Sequence, residues 1–170
     1  MSQIKIYSSE RIDKSFRELA MKRFGYSRGS ISKAAEEALL RWINDMTRID
    51  GLIAKLMGRA KNDDRILAII LFGSFARKET NFRDVDVGLV AFRNDVIPAI
   101  YDDYASLIGG EGMIDLSIIN SLPLDVQSSV FDDAVILYCR DGDALYDYTL
   151  NVIKKSADVR HVISEELGTI

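Results

Sequence analysis

One cysteine in 170 residues excludes a disulfide within the chain. Cys139 closes the apolar run Ala134-Val135-Ile136-Leu137-Tyr138-Cys139 and reads as a small core residue. The single histidine, His161, stands near the C-terminal end with no partner in sequence, so neither a Ser-His-Asp arrangement nor a zinc site is spelled out. No Walker-type Gly-Lys-Ser/Thr segment occurs. Long apolar runs are also missing: the longest, Ile66 to Phe72, is far too short to span a bilayer. The opening Met1-Ser2-Gln3-Ile4-Lys5 lacks the apolar stretch of a signal peptide. The expectation is a cytoplasmic protein with no membrane partner.

What is present is an ordinary globular composition, 48% apolar and 28% charged. The net charge of −4 is unevenly spread. Residues 1–45 hold nine Lys/Arg against six Asp/Glu, a net of +3, whereas the remainder holds 13 against 20, a net of −7. A basic head on an acidic body points to two units with different partners, a head over 1–45 and a body over 46–170.

In the head, Gln3-Ile4-Lys5-Ile6-Tyr7 alternates polar and apolar, as a short strand with one buried face does. Ser8 and Ser9 offer an N-cap, and Ile12, Phe16, Leu19, Ala20 and Phe24 recur at helical spacing before Gly25. Ser30 is placed to cap a second helix whose apolar face runs from Ile31 to Ile43. A lone strand with two short helices buries too little surface and leaves its edge unpaired; pairing two copies of the strand across a two-fold axis answers both problems. The expectation is a homodimer. This order resembles the ribbon-helix-helix family of DNA-binding dimers. The resemblance implies that Gln3, Lys5 and Tyr7 face base edges in the major groove of a DNA operator, and that the Gly29-Ser30 helix start grips a phosphate. Lys33, one turn further, is the candidate for a sequence-independent phosphate contact. A dimerisation element without DNA is the alternative for the same pattern.

In the body, Met46 to Ala60 keeps helical spacing and is expected to form a third helix, ended by Asn62-Asp63-Asp64 as a solvated loop. Arg65 to Phe72 reads as a buried strand running into Gly73-Ser74-Phe75-Ala76-Arg77-Lys78, a turn that opens a helix. Glycine lets the backbone approach a phosphate, and the Ser74 hydroxyl and N–H groups can hold its oxygens. Asp84-Val85-Asp86 then opens a strand, with Asp84 and Asp86 two apart and so on one face. Two adjacent carboxylates repel unless a cation lies between them, and their hard oxygens suit Mg²⁺. Asp115 lies on a further strand, Met113 to Ile119, where apolar neighbours make a buried acid costly without a purpose. Helices are expected over 95–107, 124–131 and from about 144, with a strand over 135–138; Asp102-Asp103 and Asp132-Asp133 read as solvated surface.

Gly73-Ser74, then Asp84-x-Asp86 and a later Asp115 on an apolar strand, resemble the minimal nucleotidyltransferases of the DNA polymerase β superfamily. The resemblance implies an α+β fold, a mixed sheet flanked by helices, here preceded by the small strand-helix-helix unit. It implies transfer of a nucleoside monophosphate from a nucleoside triphosphate such as ATP to an acceptor hydroxyl. It implies two Mg²⁺ ions bridged by Asp84 and Asp86, Asp115 on the acceptor-side ion, and Gly73, Ser74 and, less strongly, Arg77 on the nucleotide. Small members of this kind act as antitoxins, which makes a partner toxin protein a candidate acceptor. Two positions depart from the family pattern: Lys78 where Gly is common, and Arg83 where Ser usually precedes the first aspartate. Arg83 keeps open the alternative of a DNA-binding repressor whose body is inactive or only senses nucleotide.

Overall fold

Ser9, extended at φ −65° and ψ 152°, accepts a 3.5 Å hydrogen bond from the Ile12 N–H and starts α1 (Glu10–Phe24). Glu10 and Asp13 in its first turn, with Lys22 and Arg23 in its last, complement the helix dipole. The computed structural model describes residues 4–80, 82–109 and 112–167, with side chains as far as Val159. It divides into two compact units, Met1–Arg48 and Ile49–Ile170.

In the first unit, α1 turns through Gly25 into α2 (Ser30–Lys61). Arg23 clasps Glu37 through two 3.0 Å hydrogen bonds, Nε to Oε2 and Nη2 to Oε1, tying the helices together. Burial is sparse: only Ala20 and Ser30 are buried there among the described residues, and Ile12, Leu19, Leu40, Trp42 and Ile43 are half or more exposed. The expected strand over 3–7 is not formed. Gln3 lies outside the described residues, and Ile4 to Tyr7 carry no regular structure, with Ile4 and Ile6 exposed. A strand exists through its ladder, and the other described elements of this unit are helical. The expected break between the second and third helices is also absent: α2 is one helix of 32 residues. Trp42, Met46, Ile49, Leu52, Leu56 and Ala60 carry the 3–4 spacing straight through that point, and a single Gly51 at about 1 kcal/mol does not interrupt it.

The second unit is built on four strands: β1 (Ile66–Phe72), β2 (Val85–Ala91), β3 (Ile114–Ile118) and β4 (Val135–Cys139). Their order is β3-β2-β1-β4. β1 runs antiparallel to both β2 and β4, while β2 and β3 are parallel. A one-residue turn of sequence cannot join parallel strands, and α4 (Ile97–Ile108) makes that crossover. The other α elements are the single-turn α3 (Gly73–Ala76), α5 (Leu124–Val130) and α6 (Gly142–Leu167). β1 is buried along almost its whole length, as expected of a central strand. Ala68, Ile70, Val90, Ile119, Val130 and Leu145 form one apolar cluster. The fold is the α+β arrangement expected, a mixed sheet with helices. Among the described residues no helix is long and apolar enough to cross a membrane.

At the N-terminal end of β1, one guanidinium gathers several chain segments. Arg140 donates to the carbonyls of Ala60 (2.8 Å), Lys61 (3.1 Å), Asp63 (3.2 Å) and Ile66 (3.2 Å), satisfying groups that the end of α2 leaves orphaned. Asp63 corrects the expectation of a solvated loop: it is 6% exposed. Its carboxylate accepts from Arg65 Nε (2.8 Å) and Nη2 (2.7 Å) and from the Arg65 backbone N–H (3.2 Å). Asp103 pairs with the same guanidinium, so it too is a structural acid. These bonds hold the turn that leads into β1.

The Arg65 guanidinium holds the Asp63 carboxyl below its ordinary value, outweighing the effect of burial. A lowered folded-state pKa contributes stability above the unfolded value, roughly 3.9, and that contribution disappears as pH falls through the folded value. Asp63→Asn is expected to cost about 1–3 kcal/mol at pH 7 in urea unfolding. The gap from the parent should close in steps taken downward from pH 4; a gap independent of pH contradicts the assignment.

Candidate active site

The sequence of β1 ends in a turn that only one residue type fits. Gly73 sits at φ +72°, in the left-handed region, and a Cβ placed there would run into the Asp86 carboxylate. Phe72 pairs with Asp86 across the β1–β2 ladder, so the acid is carried to the point where β1 becomes α3. Ser74 follows in that single turn, half-buried. Its hydroxyl has no hydrogen-bond partner among the described residues. The helix expected after the turn is only four residues long, so its dipole is small and the useful groups are the free N–H donors of one turn. Arg77 N–H donates to the Gly73 carbonyl (3.1 Å) and Glu79 N–H to the Ser74 carbonyl (3.0 Å), closing the turn.

The carboxylates meet at the same end of the sheet. Asp84 lies one residue before β2, and Asp86 is the second residue in it, half-buried between buried Val85 and Val87. Asp115 is the register partner of Asp86 on the parallel neighbour β3. The buried-acid expectation for Asp115 is corrected: it is exposed, because β3 is an edge strand that turns Ile114, Leu116 and Ile118 inward and Asp115 outward. Burial raises the Asp86 carboxyl above its ordinary value, the charges of Asp84 and Asp115 push it further the same way, and the Arg77 guanidinium opposes them. These four side chains therefore share one electrostatic neighbourhood.

Among the described residues, no three His, Cys, Asp or Glu side chains stand close enough to enclose a metal ion. The three-aspartate ligand shell is thus not closed by the protein alone. Mg²⁺ does not require one: it binds through one or two carboxylates and takes its other ligands from substrate phosphates and water. Asp84 and Asp86 supply that pair of hard oxygens, and repulsion centred on Asp86 is what a cation relieves. The residues fit such an ion.

The surrounding residues refine the expectations. Arg77, a nucleotide-binding candidate, is engaged by two acids, Nε with Glu79 Oε1 and Nη1 with Asp133 Oδ2, both at 2.6 Å. Asp133, expected as solvated surface, is therefore the anchor between this turn and the loop before β4. Phe75 and Phe82 stack edge-to-face at 4.9 Å and 82°, holding the loop between the turn and Asp84. Neither contact is legible in sequence, since nothing in spacing relates position 77 to 133 or 75 to 82. Lys78 takes φ +60°, which explains in conformational terms why a glycine suits that position. Arg83 does not cover the acids: its side chain is 93% exposed and reaches only the Asp84 Oδ2, at 3.5 Å.

The head candidates lie in the first unit. Lys5 is exposed and stands over the Tyr7 ring at 5.1 Å, and Lys33 is exposed on the first turn of α2. Ser30 does not act as the expected cap. It is buried, and its hydroxyl donates to the carbonyls of Gly25 (2.6 Å) and Ser27 (3.0 Å). That commits the proton to the interhelix turn, because a helix entered directly from a tight turn brings carbonyls, not free N–H groups, to the serine. The side chain of His161 lies outside the described residues.

Residues 54–143, more than half of the chain, match the family model described as polymerase beta, nucleotidyltransferase. No curated protein matches the sequence at a significant level. Among solved structures similar to the chain is a toxin–antitoxin with AMP-PNP, at 18% identity over 69% of this chain and 96% of that chain, with a TM-score of 0.49. Another is a tri-AMPylated Shewanella oneidensis HEPN toxin in complex with MNT antitoxin, at 18% identity, 72% and 98% coverage and a TM-score of 0.47. A nucleotidyltransferase structure from Sulfolobus solfataricus, described there as putative, matches at 17% identity, 62% and 89% coverage and a TM-score of 0.39.

The close approach at Gly73 generates a direct test. Gly73→Ala must both adopt a left-handed backbone and displace Asp86, which together are expected to cost about 2–4 kcal/mol. Urea unfolding measures it; a loss within about 0.5 kcal/mol, the range of an ordinary surface change, contradicts the described packing.

Proposed function

This chain belongs to the polymerase β nucleotidyltransferase family, and we propose that it transfers a nucleoside monophosphate, with ATP the first donor to test, onto an acceptor hydroxyl. The observation that carries the reading is the Asp86 carboxylate packed against the Gly73 backbone, with Asp84 beside it. It sets a turn of free donors and a pair of hard anionic ligands against each other, the two halves that a metal-bound triphosphate needs. In the reaction the acceptor oxygen bonds to the α-phosphorus, the bond from that phosphorus to the bridging oxygen breaks, and pyrophosphate leaves. Gly73 and the Ser74 hydroxyl hold the β and γ phosphates. Asp84 and Asp86 would hold two Mg²⁺ ions, which would supply charge neutralisation on the phosphates and a more acidic acceptor hydroxyl. Asp115, exposed on the neighbouring strand, takes the acceptor proton. The family resemblance makes a partner toxin protein the acceptor to test first, and AMP the group transferred.

The head supports a second role beside this one. Its apolar side chains enclose a groove of about 430 Å³ between α1 and α2, lined by Phe16, Leu19, Phe24, Ala38 and Trp42. Two such faces brought together bury what one chain leaves exposed, so the chain acts as a homodimer. Lys5, Lys33 and the net +3 then form a basic surface for DNA, with Tyr7 beside Lys5 and the Gly29 turn beside Lys33. On this reading the dimer represses its own operator and the transferase body acts on a partner.

The test is incubation with Mg²⁺ and ATP labelled either at the α or at the γ phosphate, together with the product of the neighbouring gene. Label from the α position should appear on protein and label from the γ position should not; Asp84→Asn or Asp86→Asn should abolish it while the protein stays folded. Label from γ, or transfer that persists in both variants, contradicts the reading. A mobility-shift titration of the same preparation on its promoter examines the head. Binding should fall with salt by about 0.9 in log K per phosphate neutralised, and no binding at low salt removes the DNA role.

A further inference from the structure

The sheet ends at β4, which is paired on one side only, with β1. The strand Val135-Ile136-Leu137-Tyr138-Cys139 contains no proline and no charge, the devices that usually protect an exposed edge. Val135 and Ile136 are 45% and 57% exposed. Beside them an apolar groove of about 490 Å³ opens between β4 and α6, with Ile70, Phe131 and Leu145 in its lining. Tyr146, 64% exposed, stands at the groove, and Ile153, two turns further along α6, extends the exposed apolar surface. An unpaired strand edge and a contiguous apolar patch at one place mark an interaction surface.

Charge decides what fits it. Asp132, Asp143 and Asp147 are exposed in the segments that flank the groove, and none has an ion-pair partner among the described residues. Arg140 is the one base between Phe131 and Thr149, and it is committed to the carbonyls at the end of α2 and to Asp64. The rim of the groove is therefore acidic, and the nearest bases on α6, Lys154 and Lys155, follow Ile153 beyond it. A second copy of the chain would bring an identical acidic rim against it, which is repulsive for a self-paired surface. We infer that the β4 edge and the groove beside α6 dock an extended, lysine- or arginine-rich segment of a partner protein. The segment adds as a fifth strand and seats an apolar side chain between Ile136 and Tyr146.

The location gives this docking a consequence. Val135 pairs with Leu71, two residues before Gly73, and the Arg77–Asp133 ion pair ties the active-site turn to the loop that leads into β4. A strand added to β4 lies two strand spacings, about 10 Å, from β1 and three, about 14 Å, from β2 and Asp86. The docked segment therefore bears on the active-site turn through β1 and the Arg77–Asp133 pair. That consequence rests on the transferase reading; the docking itself does not.

The test uses the full chain without nucleotide and two synthetic heptapeptides, Lys-Val-Lys-Val-Lys-Val-Lys and Glu-Val-Glu-Val-Glu-Val-Glu, followed by amide NMR. The lysine peptide should shift the Val135–Cys139 amides and slow their exchange, and the glutamate peptide should not. Ile136→Lys and, separately, Tyr146→Lys should each weaken binding tenfold or more with an unchanged unfolding midpoint; two exposed positions on different elements guard against one variant misfolding. The inference is overturned if the lysine peptide leaves the β4 amides unmoved, if both peptides bind equally, or if neither variant matters. It is also overturned if sedimentation shows a dimer that Ile136→Lys dissociates, since the occupant is then a second copy. A chain that binds the peptide but transfers no label retains the docking and loses the transferase reading; the converse result loses only the docking.

Discussion

The space that a side chain would need at position 73 is filled by the Asp86 carboxylate, and the chemistry proposed for this chain depends on that. The constraint acts twice. The backbone there is left-handed, which glycine adopts freely, and the acid lies where a Cβ would be. The turn and the acid each define the position of the other. Half-burial of Asp86 then follows from the packing, and so does its raised pKa, because lost solvation and the like charges of Asp84 and Asp115 outweigh the opposing charge of Arg77.

That contact holds only if β1 and β2 keep their register, which is regular from Ala68↔Val90 to Phe72↔Asp86, and a second set of contacts holds the far end of β1. Arg140 draws the end of α2, the Asp63 turn and the first carbonyl of β1 onto one guanidinium, while Asp63 and Arg65 lock the turn itself. On the active-site side, Arg77 spans Glu79 and Asp133 and so braces the turn against the approach to β4. Arginine's planar fork suits both tasks, since it satisfies several acceptors from one fixed geometry.

What sequence could show was what repeats or alternates. The β1 run, the Asp84-x-Asp86 pair and the Gly73-Ser74 turn were legible because each is a local pattern with a physical meaning. The acids Asp63, Asp103 and Asp133 look like solvated surface in the sequence because a carboxylate's role depends on which cation folds against it. Those cations lie from two to fifty-six residues away. Asp115 was placed on the right strand but given the wrong environment, since an edge strand and a central strand carry similar apolar alternation while only the pairing order tells them apart. The continuous α2 was missed for the opposite reason: a domain boundary was expected where the charge changes sign, yet the helical spacing passes through Met46 and Ile49 unbroken.

The two units make different demands. The body buries its own core, whereas the head leaves Ile12, Leu19 and Trp42 exposed. The central claim concerns the body, that Asp84 and Asp86 bind a divalent ion together with a triphosphate held at the Gly73 turn. Paramagnetic broadening of backbone amides by Mn²⁺, recorded with a non-hydrolysable ATP analogue present, addresses it most directly. The account predicts broadening concentrated on Gly73-Ser74 and Val85-Asp86-Val87, and its loss in Asp86→Asn. Broadening that survives in Asp86→Asn, or that centres instead on the acidic surface around Asp132 and Asp143, would contradict it.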